Sequence, residues 1–167
     1  MKRILFIVSI VVVCLAVSIF CLWISDDIGI TKDYIQDHAR ERQNIHDDWC
    51  VSEQTSNNLS AMIFYNEDLS EHTFSLYINR DGFSFGYFFY QGGIDASIQN
   101  NVREFALEGL EEKAYISMNP QRASLIQISN GADVRTEEID PNKPFAVVVK
   151  MDSSVVFLDA YGTLLYE

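Results

Sequence analysis

The feature that most constrains this chain is an uninterrupted apolar run close to its N-terminus. Residues Ile4 to Ile24 form a stretch of 21 residues without a charged side chain. As a helix that rises about 1.5 Å per residue, this stretch would match the roughly 30 Å hydrocarbon core of a bilayer. A single apolar run satisfies its own backbone polar groups in lipid only as a helix. The sequence therefore predicts a transmembrane anchor, or uncleaved signal anchor, over residues 1–25.

The charges that flank this run predict its orientation. Lys2 and Arg3 precede it, whereas Asp26 and Asp27 follow it. Because basic flanks are retained in the cytoplasm, we expect a single-pass protein of the cell membrane with a cytoplasmic N-terminus and the C-terminal domain outside. A cleaved signal peptide is the alternative, since a small-x-small cleavage site ends at Ser18. Both alternatives export the rest of the chain.

The rest of the chain is strongly acidic. Two of the 12 Lys and Arg residues precede the apolar run, so 10 basic side chains face all 24 acidic ones in the remainder, a balance of -14. Such a charge repels nucleic acids and anionic lipid head groups, and no nucleic-acid partner is expected. Neutral and cationic ligands remain compatible with it.

The segment that follows the anchor is predicted to contain a helix and a linker. Over residues 26–58 we expect a juxtamembrane stalk helix, because Ile35, Ala39 and Trp49 fall on a narrow stripe with helical spacing. The other side chains of this stripe's helix are mostly charged or polar, so the helix should be largely solvated and dock at most one edge on the domain. Residues 52–60 are polar and are predicted to be irregular.

From residue 59 onward the pattern becomes typical of β-strands. Runs of β-branched and aromatic residues are separated by turn sequences such as Asp81-Gly82 and Asn130-Gly131. The predicted strands are 61–65, 73–79, 83–90, 101–108, 113–118, 124–129, 134–139, 145–150, 155–159 and 163–166. Residues 59–167 leave no room for the crossover helices that parallel sheets need. We expect a mainly β fold in which residues 59–167 form an extracytoplasmic antiparallel β-sandwich, with a partly open β-barrel as the alternative.

Motifs that carry chemistry are weak in this sequence. Residues 82–86 match G-x-S-x-G, but a nucleophile elbow needs a strand-to-helix turn, and a strand is predicted to follow here. His38, His46 and His72 lack the spacing of a metal site. Cys50 is the one cysteine beyond the apolar run, which excludes an internal disulfide there. We predict no catalytic residue, metal or cofactor, and a protein that is not an enzyme.

The densest sequence feature is an aromatic tract over residues 83–90. If its odd-numbered residues fill the core, Phe88 and Tyr90 face outward. Together with Tyr77 of the preceding run, they are the candidate residues of a patch that binds a peptide, a glycan or a neighbouring protein. The alternative is a strand buried on both faces, one of them beneath the stalk helix.

These features together predict a membrane-anchored binding or interaction module outside the cell that recognises a protein, peptide or glycan. Its acidic surface would attract cationic partners, and the aromatic strand or a sheet edge would make the contact. The alternative is a structural or assembly subunit of a membrane or envelope complex, with the apolar helix as the contact. An envelope enzyme is the least favoured class, because the sequence offers no nucleophile, base and orienting group at usable spacing.

Overall fold

The chain is described by a computed structural model over residues 2–24, 28–80, 86–131 and 133–166, and the side chains of residues 7–20 and of those after 27 are included. In these ranges eleven strands form three antiparallel sheets, accompanied by three α-helices. The predicted mainly β, antiparallel fold is therefore confirmed. Its strands are short and follow one another through tight turns, as an antiparallel arrangement allows.

The helices lie mostly before the sheets. They are α1 (Lys2–Ile24), α2 (Ile35–Gln43), which follows a single 3-10 turn, and α3 (Ala96–Asn100). A search of the described residues finds no helix that is long and apolar enough to cross a membrane, so the transmembrane anchor over residues 1–25 stays a prediction. Asn44 ends α2 with a left-handed backbone (φ 53°), so this helix is shorter than the sequence pattern predicts.

The strands pair mainly with neighbours in sequence. Sheet I has the order β1-β2-β3-β4 and consists of β1 (Cys50–Thr55), β2 (Leu59–Tyr65), β3 (His72–Asn79) and β4 (Tyr87–Gly93). Sheet II has the order β5-β6-β9, from β5 (Arg103–Ala106), β6 (Glu112–Ser117) and β9 (Phe145–Lys150). Sheet III has the order β11-β10-β7-β8, from β7 (Leu125–Asn130), β8 (Asp133–Glu138), β10 (Ser154–Leu158) and β11 (Leu164–Tyr166).

The three sheets form successive layers with an apolar core on each side of sheet II. Ala146 and Val148 of β9 belong to the core shared with sheet I. Phe145, Val147 and Val149 belong to the core shared with sheet III. The alternation predicted for this strand is therefore correct, but both of its faces are buried. This mainly β, antiparallel arrangement is consistent with the predicted sandwich, with a middle sheet between two outer sheets rather than two sheets alone.

Helix α2 covers the outer face of sheet I and makes a third core there. Ile35 and Ala39 are 2% and 0% exposed, and they pack with Met62, Phe64 and Tyr77 from the sheet. The helix predicted to be a mostly solvated stalk is thus part of the folded layers. The central strands of sheet I, β2 and most of β3, are buried on both faces, whereas β4, the strand of the aromatic tract, stays partly exposed, with Tyr90 51% exposed.

The segment predicted to be irregular, residues 52–60, contains most of strand β1. This prediction is wrong for residues 52–55, which pair with β2 in register. Polar residues suit this position because β1 is an edge strand: the Gln54 side-chain oxygen accepts a 2.6 Å hydrogen bond from the Val148 backbone N–H of β9. The boundary placed at residue 59 therefore divides a β-hairpin.

The connection between α1 and α2 is tied to the free edge of β4. Ile30 and Tyr87 exchange two backbone hydrogen bonds of 2.8 Å. The approach is so close that a Cβ atom on Gly29 would lie 2.6 Å from the Tyr87 carbonyl oxygen. Glycine is required at this crossing, which joins residues 28–30 to sheet I.

Part of the predicted aromatic hairpin lies outside the described residues. This applies to the Asp81-Gly82 turn and to Phe83 and Phe85, with most of the G-x-S-x-G match. Among the described residues, strand β4 begins at Tyr87 and continues to Gly93, three residues beyond the predicted end.

Candidate functional site

A groove of about 510 Å³ lies where the end of α2, the β2–β3 turn and α3 meet. This volume falls within the roughly 300–1,000 Å³ typical of ligand sites. The groove is lined by Asn44, His46, Trp49, Ser70, Glu71, His72, Ile94, Ala96, Gln99 and Asn100. Apolar and polar side chains therefore converge on one concave surface, which is the usual composition of a binding site.

The first wall is a turn that Arg40 holds in place. Its guanidinium donates 2.8 Å and 2.9 Å hydrogen bonds to the backbone carbonyls of His46 and Trp49. The same guanidinium lies 5.0 Å from the centre of the Phe64 ring, where it is held against sheet I. Charge-assisted bonds of this kind are about twice as strong as neutral ones, so the position of Trp49 is fixed through the fold.

The second wall is the β2–β3 turn, which a network around Asn66 orders. The Glu71 backbone N–H donates to the Asn66 side-chain oxygen at 3.0 Å, and the Asn66 amide donates to Ser70 Oγ at 2.9 Å. His72, at the start of β3, is 5% exposed and has Nε2 3.1 Å from the Asp95 carbonyl oxygen. These bonds fix the backbone and leave the Glu71 carboxylate at the surface.

The third wall is α3 and the residue before its cap. Asp95 caps the helix by accepting hydrogen bonds from the Ser97 backbone N–H at 2.8 Å and the Ser97 hydroxyl at 2.7 Å. The bond from the Ser97 side chain lowers the pKa of Asp95 below its usual value, so this carboxyl is ionised at neutral pH. Ile98 is 0% exposed and anchors the helix, whereas Ile94 is 83% exposed.

The charge of the groove is negative. Glu71 lies in its lining, and none of the described residues that line it is a lysine or arginine. Asp47 and Asp48 are exposed and adjoin His46 and Trp49 in the first wall. An acidic surface around an aromatic side chain favours cationic groups over anionic ones.

The patch predicted from the aromatic tract is not assembled in the way the alternation implied. Tyr77 is 0% exposed and faces α2, where its hydroxyl lies 2.7 Å from His38 Nδ1, and burial raises its pKa to about 12. Its inclusion in a surface site is therefore wrong: the side chain belongs to the core. Phe88 pairs with Ile78, on the face of sheet I opposite to α2. It is half-buried, and the Arg80 guanidinium lies 4.2 Å from its ring centre.

Tyr90 is the one predicted binding residue with a largely exposed side chain. It is 51% exposed and lies at a β-bulge of the edge strand β4, where it has no paired residue on β3 between the pairs Tyr77–Phe89 and Leu76–Gln91. Neither Tyr90 nor Phe88 lines the groove.

The sequence signals for the groove are faint. Trp49 falls on the helical stripe of the sequence. Ile94 precedes Asp95-Ala96-Ser97, a sequence typical of a helix N-cap, which puts an apolar residue just outside a helix. Glu71 and His72 gave no signal, because they meet Trp49 only through the pairing of β1, β2 and β3.

A second depression, of about 540 Å³, lies at another place in the fold. It is lined by Asn58, Leu110, Glu111, Glu112, Lys150, Met151 and Asp152. Although it is slightly larger, it has no aromatic side chain, and Lys150 offsets part of its acidic charge. The groove with Trp49 is therefore the stronger candidate for a binding site.

Comparisons with known proteins leave the groove as the principal guide to function. No family model, no curated protein and no solved structure matches the chain.

Proposed function

We propose that the chain is a membrane-anchored recognition module that binds a partner protein outside the cell through the groove at Trp49. The observation that carries the proposal is the combination of a partly exposed Trp49 and an 83% exposed Ile94 in one concavity of about 510 Å³. Exposed aromatic and aliphatic side chains that converge with polar groups are typical of the centres of protein interfaces.

The rigidity of the three walls supports this proposal. Arg40 fixes the first wall, Asn66 the second and Asp95 the third, each through hydrogen bonds to backbone groups. A partner would meet a surface that is already ordered, so less of its binding free energy would be lost in ordering loops.

Membrane anchorage is the part of the proposal that rests on sequence. The support is the 21-residue uncharged run Ile4 to Ile24, with Lys2 and Arg3 before it and Asp26 and Asp27 after it. This charge distribution supports a cytoplasmic N-terminus with the groove on the other side of the membrane.

Cys50 offers a direct test of that topology, because its side chain is exposed. A membrane-impermeant maleimide applied to intact cells is expected to label the protein, and Cys50→Ser is expected to abolish the labelling. If the label appears only after the cells are permeabilised, the domain is on the cytoplasmic side and this part of the proposal is wrong.

Capture of a partner by the full chain tests recognition itself. The tagged protein would be purified in mild detergent from its own envelope, with the co-purifying protein quantified for wild type, Trp49→Ala and Tyr90→Ala. We expect Trp49→Ala to reduce capture about tenfold or more, as for an interface centre. Tyr90→Ala, the matched exposed aromatic, should leave capture unchanged. If only Tyr90→Ala reduces capture, the binding site is on the aromatic strand β4 and the groove is not the site.

The same experiment separates recognition from an assembly role. Replacing residues 4–24 by an unrelated apolar helix should leave capture intact if the groove makes the contact. If that replacement abolishes capture while Trp49→Ala has no effect, the chain is an assembly subunit that associates through its helix.

A further inference from the structure

We infer that the groove recognises a basic segment of its partner, with a lysine or arginine side chain placed against Trp49 and a neighbouring apolar side chain placed against Ile94. The inference deepens the proposed function and rests on it, because it names the partner chemistry of the same groove. Three observations lead to it: a partly exposed indole with no lysine or arginine of the described residues over it, carboxylates that form no ion pair with described side chains, and an exposed apolar side chain beside them.

The first observation concerns how the chain uses its own cations. Five aromatic rings each have a lysine or arginine of the chain over them: Phe64, Phe88, Phe89, Phe105 and Tyr115. In the described part of the chain no such cation lies over Trp49, whose ring neighbour is His46 at a centroid distance of 6.5 Å. Tryptophan is the aromatic side chain that attracts cations most strongly. The groove therefore holds a partly exposed indole, packed on one side against the core under α2, that is available to a cation of the partner.

The second observation concerns the acidic groups around that face. Glu71 lines the groove, and Asp47 and Asp48 are exposed beside Trp49. Of the ion pairs between described side chains, none involves these three carboxylates. By contrast, Asp95 in the third wall already has Arg103 at 3.9 Å. A basic partner would pair with charges that the fold leaves to solvent, and an acidic partner would be repelled.

The third observation sets the character of the neighbouring contact. Ile94 is 83% exposed, and Ala96 lines the same groove. Covering this apolar surface would release water and stabilise the complex, which a free ammonium ion does not achieve. The occupant that matches both parts of the groove is a peptide segment in which a basic residue adjoins an apolar one.

Fluorescence of Trp49 can test this match in the intact protein. The chain has two tryptophans, so Trp23→Phe leaves Trp49 as the sole indole reporter. The full chain, held in nanodiscs of phosphatidylcholine, would be titrated into the low millimolar range with three acetylated and amidated tripeptides: Leu-Lys-Leu, Leu-Gln-Leu and Leu-Glu-Leu. Empty nanodiscs serve as the blank for peptide partition into lipid.

We expect a saturable change with the lysine peptide that weakens as salt is raised. The glutamine peptide should bind about fivefold or more weakly, since it lacks the cation–π contact and the ion pair, and the glutamate peptide should not bind. Glu71→Gln should weaken the affinity for the lysine peptide about two- to fivefold. Glu138→Gln removes the same charge from an exposed position in sheet III and should have no effect.

Equal affinity for the three peptides, or no saturable response to the lysine peptide, would overturn the inference. Equal effects of Glu71→Gln and Glu138→Gln would also overturn it, because the dependence would then reflect net charge alone. These outcomes are distinct from failure of the proposed function, which is decided by partner capture: capture that depends on Trp49 would keep the groove as the recognition site even if the basic preference is absent.

Discussion

The two outer layers of the fold, sheet I and sheet III, are covered to very different extents. In sheet I, every residue of β2 is buried, because sheet II packs on one face and α2 on the other. In sheet III, the central strands β7 and β10 bury only every second residue, and the edge strand β8 is exposed at all positions except Glu137, which is half-buried. The centre of sheet I is therefore covered on both faces, whereas sheet III is covered on one face only.

This difference in coverage indicates which outer layer can present a functional surface. Charged residues along the edge strand β8 oppose pairing with the edge of another sheet, so sheet III is suited to remain in solvent. Helix α2, which covers sheet I, ends at Gln43. Asn44 then leads the chain into the turn that carries Trp49, at the edge of the groove. We therefore expect the partner to bind on the sheet I side, and sheet III to remain in solvent without a role in recognition.

The largest effect is expected within sheet III, between a core position and a position on its exposed edge strand. Phe157 is 0% exposed and contacts the rings of Tyr115, Phe145 and Tyr166, whereas Val134 on β8 is 57% exposed. Phe157→Ala should lower the free energy of unfolding by about 3–5 kcal/mol through lost burial and a cavity. Val134→Ala should change it by less than about 0.5 kcal/mol. Chemical unfolding of the full chain in detergent measures both, and similar costs would contradict a solvated outer face.

A medium effect tests whether α2 covers sheet I or stands in solvent as a stalk. Ala39 is 0% exposed beneath the helix, so Ala39→Leu should overpack the core and cost about 1–3 kcal/mol of unfolding free energy. Glu41→Leu places the same side chain on the exposed side of the helix and should change stability by less than about 0.5 kcal/mol. If Ala39→Leu is as neutral as Glu41→Leu in the same unfolding assay, the helix does not pack on the sheet.

The smallest effect concerns the tyrosine buried between α2 and sheet I. Tyr77→Phe removes the 2.7 Å hydrogen bond to His38 and should cost about 0.5–1.5 kcal/mol at neutral pH. Because burial raises the pKa of Tyr77 to about 12, the unfolded state releases this proton first once the pH exceeds about 10. The contribution is complete below pH 10 and is lost as the pH rises towards 12.

Unfolding curves at neutral pH and above pH 10 check both parts of this expectation. Tyr77→Phe should show a shallower decline of stability with rising pH than wild type, while Tyr161→Phe, at a 94% exposed position, should behave like wild type. An unchanged decline in Tyr77→Phe would mean that the tyrosine is not buried under α2.

Much of the β fold could be predicted from local sequence because alternation and turn residues act over short distances. The run 145–150 shows this well, since Phe145, Val147 and Val149 do share one face. Alternation does not say what covers each face, so the middle position of sheet II was not predicted. Strand β1 was missed because polar residues at an edge strand resemble a loop, although Gln54 uses its polarity to bond the edge of β9.

The candidate site was harder to predict than the fold because its walls come from distant parts of the chain. The aromatic tract drew attention to Tyr77, but the packing of α2 on this face of sheet I places that side chain inside the core. Trp49, Glu71 and Ile94 meet only after the four strands of sheet I and two helices have packed. Neither the spacing of these three residues in the sequence nor their residue types predicts that they lie close together.

Photo-crosslinking in the living host tests most directly the claim that this groove is the recognition surface. A benzophenone amino acid would replace Ile94 in the groove or Val134 on β8, two exposed aliphatic positions on opposite outer layers. We expect a discrete crosslinked partner from position 94 that disappears with Trp49→Ala, and none from position 134. Adducts from position 134 alone, or adducts from position 94 that persist with Trp49→Ala, would contradict the account.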